Sequence, residues 1–220
     1  MEDRLLNLIN RYENVKQSII ETAKKSFFKS KVHLIVVAKG RTKTEIEELI
    51  NQGQVDFAEN YINSETMFNW VYLKNKYPQI KIHFIGHIQT NKLNKILQIA
   101  DFIHSIDSIN IIDYLIKKEI NDKKFFLQIK FDENENRSGI FYKKMEEYIV
   151  YCAENKFNIV GFMVILPKTC DVNLVFSFVK NLSFKYKLND LSMGMTEDYV
   201  EAILNGANYV RVGRKIFEGC

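Results

Sequence analysis

The chain is poor in proline (two), cysteine (three) and tryptophan (one), and each shortage excludes something. Cys152, Cys170 and Cys220 stand far apart, with no pair at redox or metal-ligand spacing, so neither a disulfide framework nor a zinc ribbon is expected. A reducing cytoplasm is the expected compartment. Pro78 and Pro167 are the only prolines, and no low-complexity tract or composition break divides the chain, so residues 1–220 read as a single domain. No apolar run approaches the roughly 18 residues that span a bilayer, and Met1-Glu2-Asp3-Arg4-Leu5 is not a signal-peptide pattern; no membrane association is expected. Charge of one sign is also missing. The 31 Lys and Arg against 27 Asp and Glu are dispersed, which speaks against a nucleic-acid partner. There is no Walker or Gly-x-Gly-x-x-Gly motif and no His/Cys/Asp group at metal spacing, so no metal is expected.

What is present is a core-forming composition, 46% hydrophobic, in a repeating order. From Lys31 onward, short runs rich in Val, Ile, Phe and Tyr alternate with helical patterns, as in repeated βα units around a parallel sheet. The expected strands are Val32 to Lys39, Val55 to Asn60, Ile80 to Gly86, Phe102 to Ile106, Phe125 to Phe131, Ile159 to Leu166, Leu191 to Gly194 and Tyr209 to Gly213. Thr44 to Gln52 and Tyr142 to Asn155 carry apolar residues at three- and four-residue intervals, and Gly53 and Gly206 read as helix C′ residues. An amphipathic helix from Leu5 to Phe28, within a leading segment 1–30, is expected to close the barrel bottom or cover an edge. Eight such units in one domain predict an α/β fold, a (β/α)8 TIM barrel with an extra N-terminal helix. An open doubly wound sheet is the alternative.

In a parallel barrel the chemistry gathers at the carboxyl ends of the strands. Lys39 ends the first apolar run, where partial burial would lower its pKa and free a neutral amine for Schiff-base chemistry; a solvated strand end is the plain alternative. Ser192-Met193-Gly194-Met195-Thr196 and Arg211-Val212-Gly213-Arg214-Lys215 are turns at the last two units, where barrels commonly seat a phosphate on backbone N–H groups. Taken singly, Gly194 and Gly213 need only permit tight turns. Arg211 alternates with Val210 and Val212 and so faces away from them; it would either pair with Asp107 or Asp132 or donate to a bound ligand. His83 is a core or a catalytic histidine, and Asn60 a ligand contact or a turn residue. An amine, a phosphate seat and a charged donor at one mouth suit a phosphorylated aldehyde, and pyridoxal 5′-phosphate (PLP) fits.

Several motifs carry a resemblance over nearly the whole chain: Val37-Ala38-Lys39, Glu59-Asn60-Tyr61, His83-Phe84-Ile85-Gly86-His87-Ile88-Gln89-Thr90-Asn91-Lys92, Arg137-Ser138-Gly139, Leu191 through Asp198, and Val210-Arg211-Val212-Gly213. The chain resembles the pyridoxal-phosphate homeostasis proteins, relatives of the amino-terminal barrel domain of alanine racemase. It departs from them in Ala38, often serine, and in lacking a proline within Gly40-Arg41-Thr42. The resemblance implies a fold-type III PLP-binding barrel in which Lys39 forms the Schiff base, and Ser192 with the amides of Gly213 and Arg214 cradles the phosphate. It further implies that Arg211 faces the pyridine nitrogen, that Asn60 lies near the ring and that Arg137 approaches the phenolic oxygen.

A guanidinium can only donate, so it would leave the ring nitrogen unprotonated and the ring a poor electron sink. In the resembled racemases the second base comes from a separate carboxy-terminal domain, whereas this chain ends at Cys220, directly after the last unit. The implied function is binding, buffering and delivery of PLP to apo-enzymes, by a monomer with little or no turnover. An amino-acid racemase is the alternative, with a Schiff-base aldolase behind it.

Overall fold

The computed structural model describes residues 2–133, 137–167 and 169–218. Its strands are β1 (His33–Val37), β2 (Asp56–Glu59), β3 (Lys81–Phe84), β4 (Phe102–Ile106), β5 (Lys124–Lys130), β6 (Ile140–Phe141), β7 (Ile159–Val164), β8 (Asp190–Ser192) and β9 (Tyr209–Val212). All pairings are parallel, and the ring β1-β2-β3-β4-β5-β7-β8-β9 closes on itself where β9 meets β1. This is the closed eight-strand barrel, and it rules out the open sheet. Each expected strand is present, trimmed at one or both ends except for β4. The two-residue β6 was not foreseen; it lies outside the ring, pairing Ile140 with Ile129 and Phe141 with Lys130 on β5.

Strand alternation sorts the apolar residues into two sets. Leu34, Val36, Phe57, Ile82, Phe84, Ile103, Phe125, Leu127, Phe162, Val210 and Val212 face outward into the large core shared with the helices. Ile35, Ala58, Phe102, Phe126, Met163 and Tyr209 face inward and form a separate small cluster inside the barrel. The same alternation turns Val37 inward.

The crossover helices are α2 (Lys43–Asn51), α3 (Ser64–Lys76), α4 (Leu93–Ile99), α5 (Ile109–Lys117), α6 (Met145–Glu154), α7 (Val172–Tyr186) and α8 (Tyr199–Leu204). Local chemistry sets their ends. Thr42 and Glu45 form a reciprocal capping box at the start of α2, and Gly53 follows it with φ +84°, a left-handed conformation that costs glycine nothing. Helix α9 (Arg214–Phe217), after β9, is a single turn, too short for the eighth place in the outer ring. The leading helix α1 (Glu2–Lys25) helps fill that place, packing on α9, α8 and α2. It therefore covers the side wall of the barrel and does not close its bottom. Arg11 ties the two chain ends together, donating to the carbonyls of Ile216 and Phe217 at 2.7 and 3.1 Å.

Candidate active site at the barrel mouth

Lys39 lies in the turn just beyond β1, exposed, with the Ala38 amide still bonded to Ala58 O on β2 (2.9 Å). Its neighbours come from other strands. Lys39, Asn60, Gly86, Gln128, Lys130, Arg137, Met195 and Arg211 are among the residues lining one cavity of about 390 Å³ at the carboxyl ends of the strands. Lys39 and Asn60 also border a second, outer cavity of about 560 Å³ that reaches Trp70 on α3. Gly86 is required at this mouth, since a Cβ there would lie 1.8 Å from the carbonyl oxygen of Asn60.

Arg211 rises inside the barrel from β9 and is only 3% exposed. Among the described residues neither Asp107 nor Asp132 pairs with it. Its NH1 donates to the carbonyl (2.6 Å) and hydroxyl (2.8 Å) of Ser192, and its NH2 to the carbonyl of Val164 (2.8 Å). Burial pulls its pKa down to about 10; it remains a cation at neutral pH. Asp107 instead accepts from the Gly139 amide, and burial raises its carboxyl above the ordinary value. Asp132 pairs with Arg137, which also donates to Leu166 O and so holds the 137–139 segment at the rim.

Ser192 is fully buried, and its hydroxyl sits between Arg211 and Nδ1 of His104 (2.8 Å). A phosphate contact from this hydroxyl would compete with these two partners. Gly213 and Arg214 open α9 at the end of β9, with first-turn amides that have no partner within the helix. Gly213 packs tightly there, because a Cβ would meet Val37 O at 3.0 Å.

His83 proves to be a hydrogen-bonded core histidine, and it belongs to a row that the sequence reading did not assemble. Its Nε2 lies 2.9 Å from Asp56 Oδ1 and its Nδ1 2.9 Å from His104 Nε2. His83 stacks on Phe102 and His104 on Phe126, with centroids 4.2 and 4.1 Å apart. Burial lowers the pKa of both imidazoles, His104 well below the ordinary value. Burial alone would raise Asp56, but hydrogen bonds with His33 and His83 outweigh it and hold the carboxyl well below the usual range. His104 and Asp56 went unnoticed although strand alternation held the signal: His104 shares the inward face of β4 with Phe102, as Asp56 shares that of β2 with Ala58.

Among the described residues no group of three or more side chains is arranged to hold a metal, and no helix is long and apolar enough to cross a membrane. His87 Nδ1 approaches both Ser138 Oγ (2.8 Å) and Asp107 Oδ2 (3.9 Å). A Ser-His-Asp triad would need the two partners on opposite ring nitrogens, so this group is no triad.

The closed parallel barrel, with a lysine and a buried arginine at its mouth, shares its fold with the barrel of alanine racemase. Alanine racemase from Corynebacterium glutamicum superposes with a TM-score of 0.70 at 14% identity, covering 96% of this chain and 60% of the racemase, a likeness of fold alone. No family model matches the chain. Sequence relatives are more specific. The pyridoxal phosphate homeostasis protein of Synechocystis sp. is 36% identical over 201 residues, 84% of this chain and 90% of that protein. Its counterpart in Buchnera aphidicola is 32% identical, over 85% of this chain and 98% of the relative. The chain belongs to the pyridoxal phosphate homeostasis protein family. Among solved structures, PipY of Synechococcus elongatus with PLP bound is 26% identical with a TM-score of 0.74, covering 84% of this chain and 92% of PipY.

Proposed function

We propose that the protein binds pyridoxal 5′-phosphate at the barrel mouth and serves its homeostasis, holding the cofactor on Lys39 and releasing it to apo-enzymes with little or no turnover of its own. The observation that carries this reading is the convergence of Lys39 and Asn60, just beyond β1 and β2, and Arg211, on β9, on one cavity of about 390 Å³. That volume lies in the range of small-ligand pockets. PipY, solved with PLP bound, supports it from a relative.

The residues fit the group. Lys39 is the exposed amine at the mouth, lining the cavity. The first-turn amides of Gly213 and Arg214 are the donors for a phosphate. Arg211, held by two carbonyls and a hydroxyl, keeps its charge and offers only N–H donors to a ring nitrogen. Asn60 would meet the ring, and Arg137 stands at the rim of the same cavity. When bound, the cofactor supplies an aldehyde for capture by the amine and a ring whose unprotonated nitrogen makes it a weak electron sink. Within this reading the protein acts as a monomer. The unpaired thiols of Cys152 and Cys170 suit a reducing cytoplasm.

The deciding experiment is an absorbance spectrum of purified protein with PLP, before and after borohydride, followed by mass mapping of the modified residue. A visible band, lost in Lys39→Ala, and a tag on Lys39 are expected. A tag on any other lysine overturns the reading. Incubation of the loaded protein with L-alanine is expected to give no enantiomer exchange at enzyme-like rates.

A further inference from the structure

The polar row inside the barrel runs from the mouth down to the start of β2, and its two ends differ in kind. At one end Arg211 can only donate hydrogen bonds; at the other the ionised Asp56 can only accept them. The three members between them are neutral and can each be oriented either way, so the ends dictate the direction of the whole. Ser192 Oγ accepts from Arg211 at 2.8 Å and turns its single proton to His104 Nδ1, also at 2.8 Å. His104 then carries its proton on Nε2, 2.9 Å from His83 Nδ1. His83 in turn carries its proton on Nε2, 2.9 Å from Asp56 Oδ1. The reverse order would ask a carboxylate to donate and a guanidinium to accept. Both rings are held against rotation by Phe102 and Phe126, and both are fully buried, so no water replaces a lost partner.

We propose that Asp56, His83 and His104 are positioning residues for Arg211, acting through Ser192 as one hydrogen-bond chain of fixed direction. The inference rests on the reading above that Arg211 meets the cofactor ring. Arg211 lines the cavity, no carboxylate among the described residues accepts a hydrogen bond from it, and its side-chain acceptor there is the Ser192 hydroxyl. Drawing its proton to His104 keeps that hydroxyl's lone pairs free to accept from Arg211. His104 accepts that proton only while His83 and Asp56 hold its own on the far side. Hydrogen bonds in such a row polarise one another, so the charge at Asp56 is felt at Arg211 through three intervening side chains.

Two measurements test this. In the ligand-free protein, ¹⁵N NMR is expected to show His83 and His104 as neutral Nε2–H tautomers. Asp56→Asn, whose amide can either donate or accept, is expected to give mixed tautomers at both rings. In the presence of PLP, Asp56→Asn and His104→Phe are each expected to weaken binding about tenfold and to shift the visible band in the same direction as Arg211→Leu. An Nδ1–H tautomer at either ring of the unmodified protein overturns the proposal. So do Asp56→Asn and His104→Phe variants that lower the melting temperature yet leave affinity and band unchanged while Arg211→Leu alters both. Arg211→Leu without effect on affinity or band overturns instead the placement of Arg211 at the ring, and the proposal with it. If His104→Phe does not fold, Asp56→Asn, nearly identical in size, carries the test alone.

Discussion

His83 Nδ1 lies 2.9 Å from His104 Nε2 within the barrel, so one ring donates and the other accepts, and the two cannot both be charged. Burial lowers the pKa of each below the ordinary histidine value. A lowered folded-state value means that unfolding takes up protons. The stability these rings contribute is therefore complete above about pH 6.5, the unfolded value, and is lost as the pH falls below it. Asp56, also lowered, acts in the same direction in a more acidic range. Denaturant midpoints are expected to be level from pH 8 to 7 and to fall steadily from pH 6.5 to 5, with a shallower fall in His104→Phe. A midpoint unchanged down to pH 5 would show that the rings are not held neutral.

The hydroxyl of Ser192 is committed to His104 and Arg211, and this changes what its removal should do. Ser192→Ala is expected to weaken PLP and pyridoxal by similar factors, because Arg211 loses an acceptor and the phosphate loses nothing. Comparative dissociation constants check this. A much larger loss for PLP would place the hydroxyl at the phosphate after all.

Two glycines are fixed by neighbouring backbone. A Cβ at Gly86 would lie 1.8 Å from Asn60 O, and one at Gly161 would lie 1.6 Å from Asp190 O. Since strand carbonyls cannot swing aside, Gly86→Ala and Gly161→Ala are each expected to cost about 3 kcal/mol in urea unfolding. Gly40 has no heavy atom within 4 Å of its would-be Cβ but sits at φ +67°. Gly40→Ala should therefore lose only about 1 kcal/mol, the penalty of the left-handed backbone. Equal losses at all three positions would refute the steric account.

Arg11 joins α1 to the last turn of the chain through two carbonyls. Hydrogen bonds from a charged donor contribute about 2 kcal/mol when partly buried, so Arg11→Ala is expected to lower stability by that order in chemical denaturation. PLP affinity should hardly change, since the contact lies on the outer wall. A variant as stable as the parent would mean that α1 docks through its apolar face alone.

Much of the architecture was legible because a parallel barrel writes itself into the chain as a rhythm. Leu34-Ile35-Val36-Val37 and Phe125-Phe126-Leu127 are apolar on both faces, as strands covered inside and out must be. Gly53 and Gly206 announced helix ends through the one backbone conformation that other residues avoid. The two-residue β6 carries too little pattern to be seen. The seat of α1 could not be read either, since an amphipathic face reports that it is buried and not against what.

At the site the division is similar. Lys39, Asn60 and Arg211 were readable because each stands at or near a strand end, where one-dimensional position maps onto the barrel mouth. The row from Asp56 to Ser192 was not readable, since its members lie 27, 21 and 88 residues apart along the chain. Sequence alone determined the βα repeat and the place of Lys39 at the barrel mouth, because these follow from local periodicity. Only the tertiary structure decided which polar side chains share the barrel interior. That depends on ring closure and strand register, which bring His83, His104, Ser192 and Arg211 within hydrogen-bonding distance of one another in succession and leave the arginine held by two carbonyls and a hydroxyl.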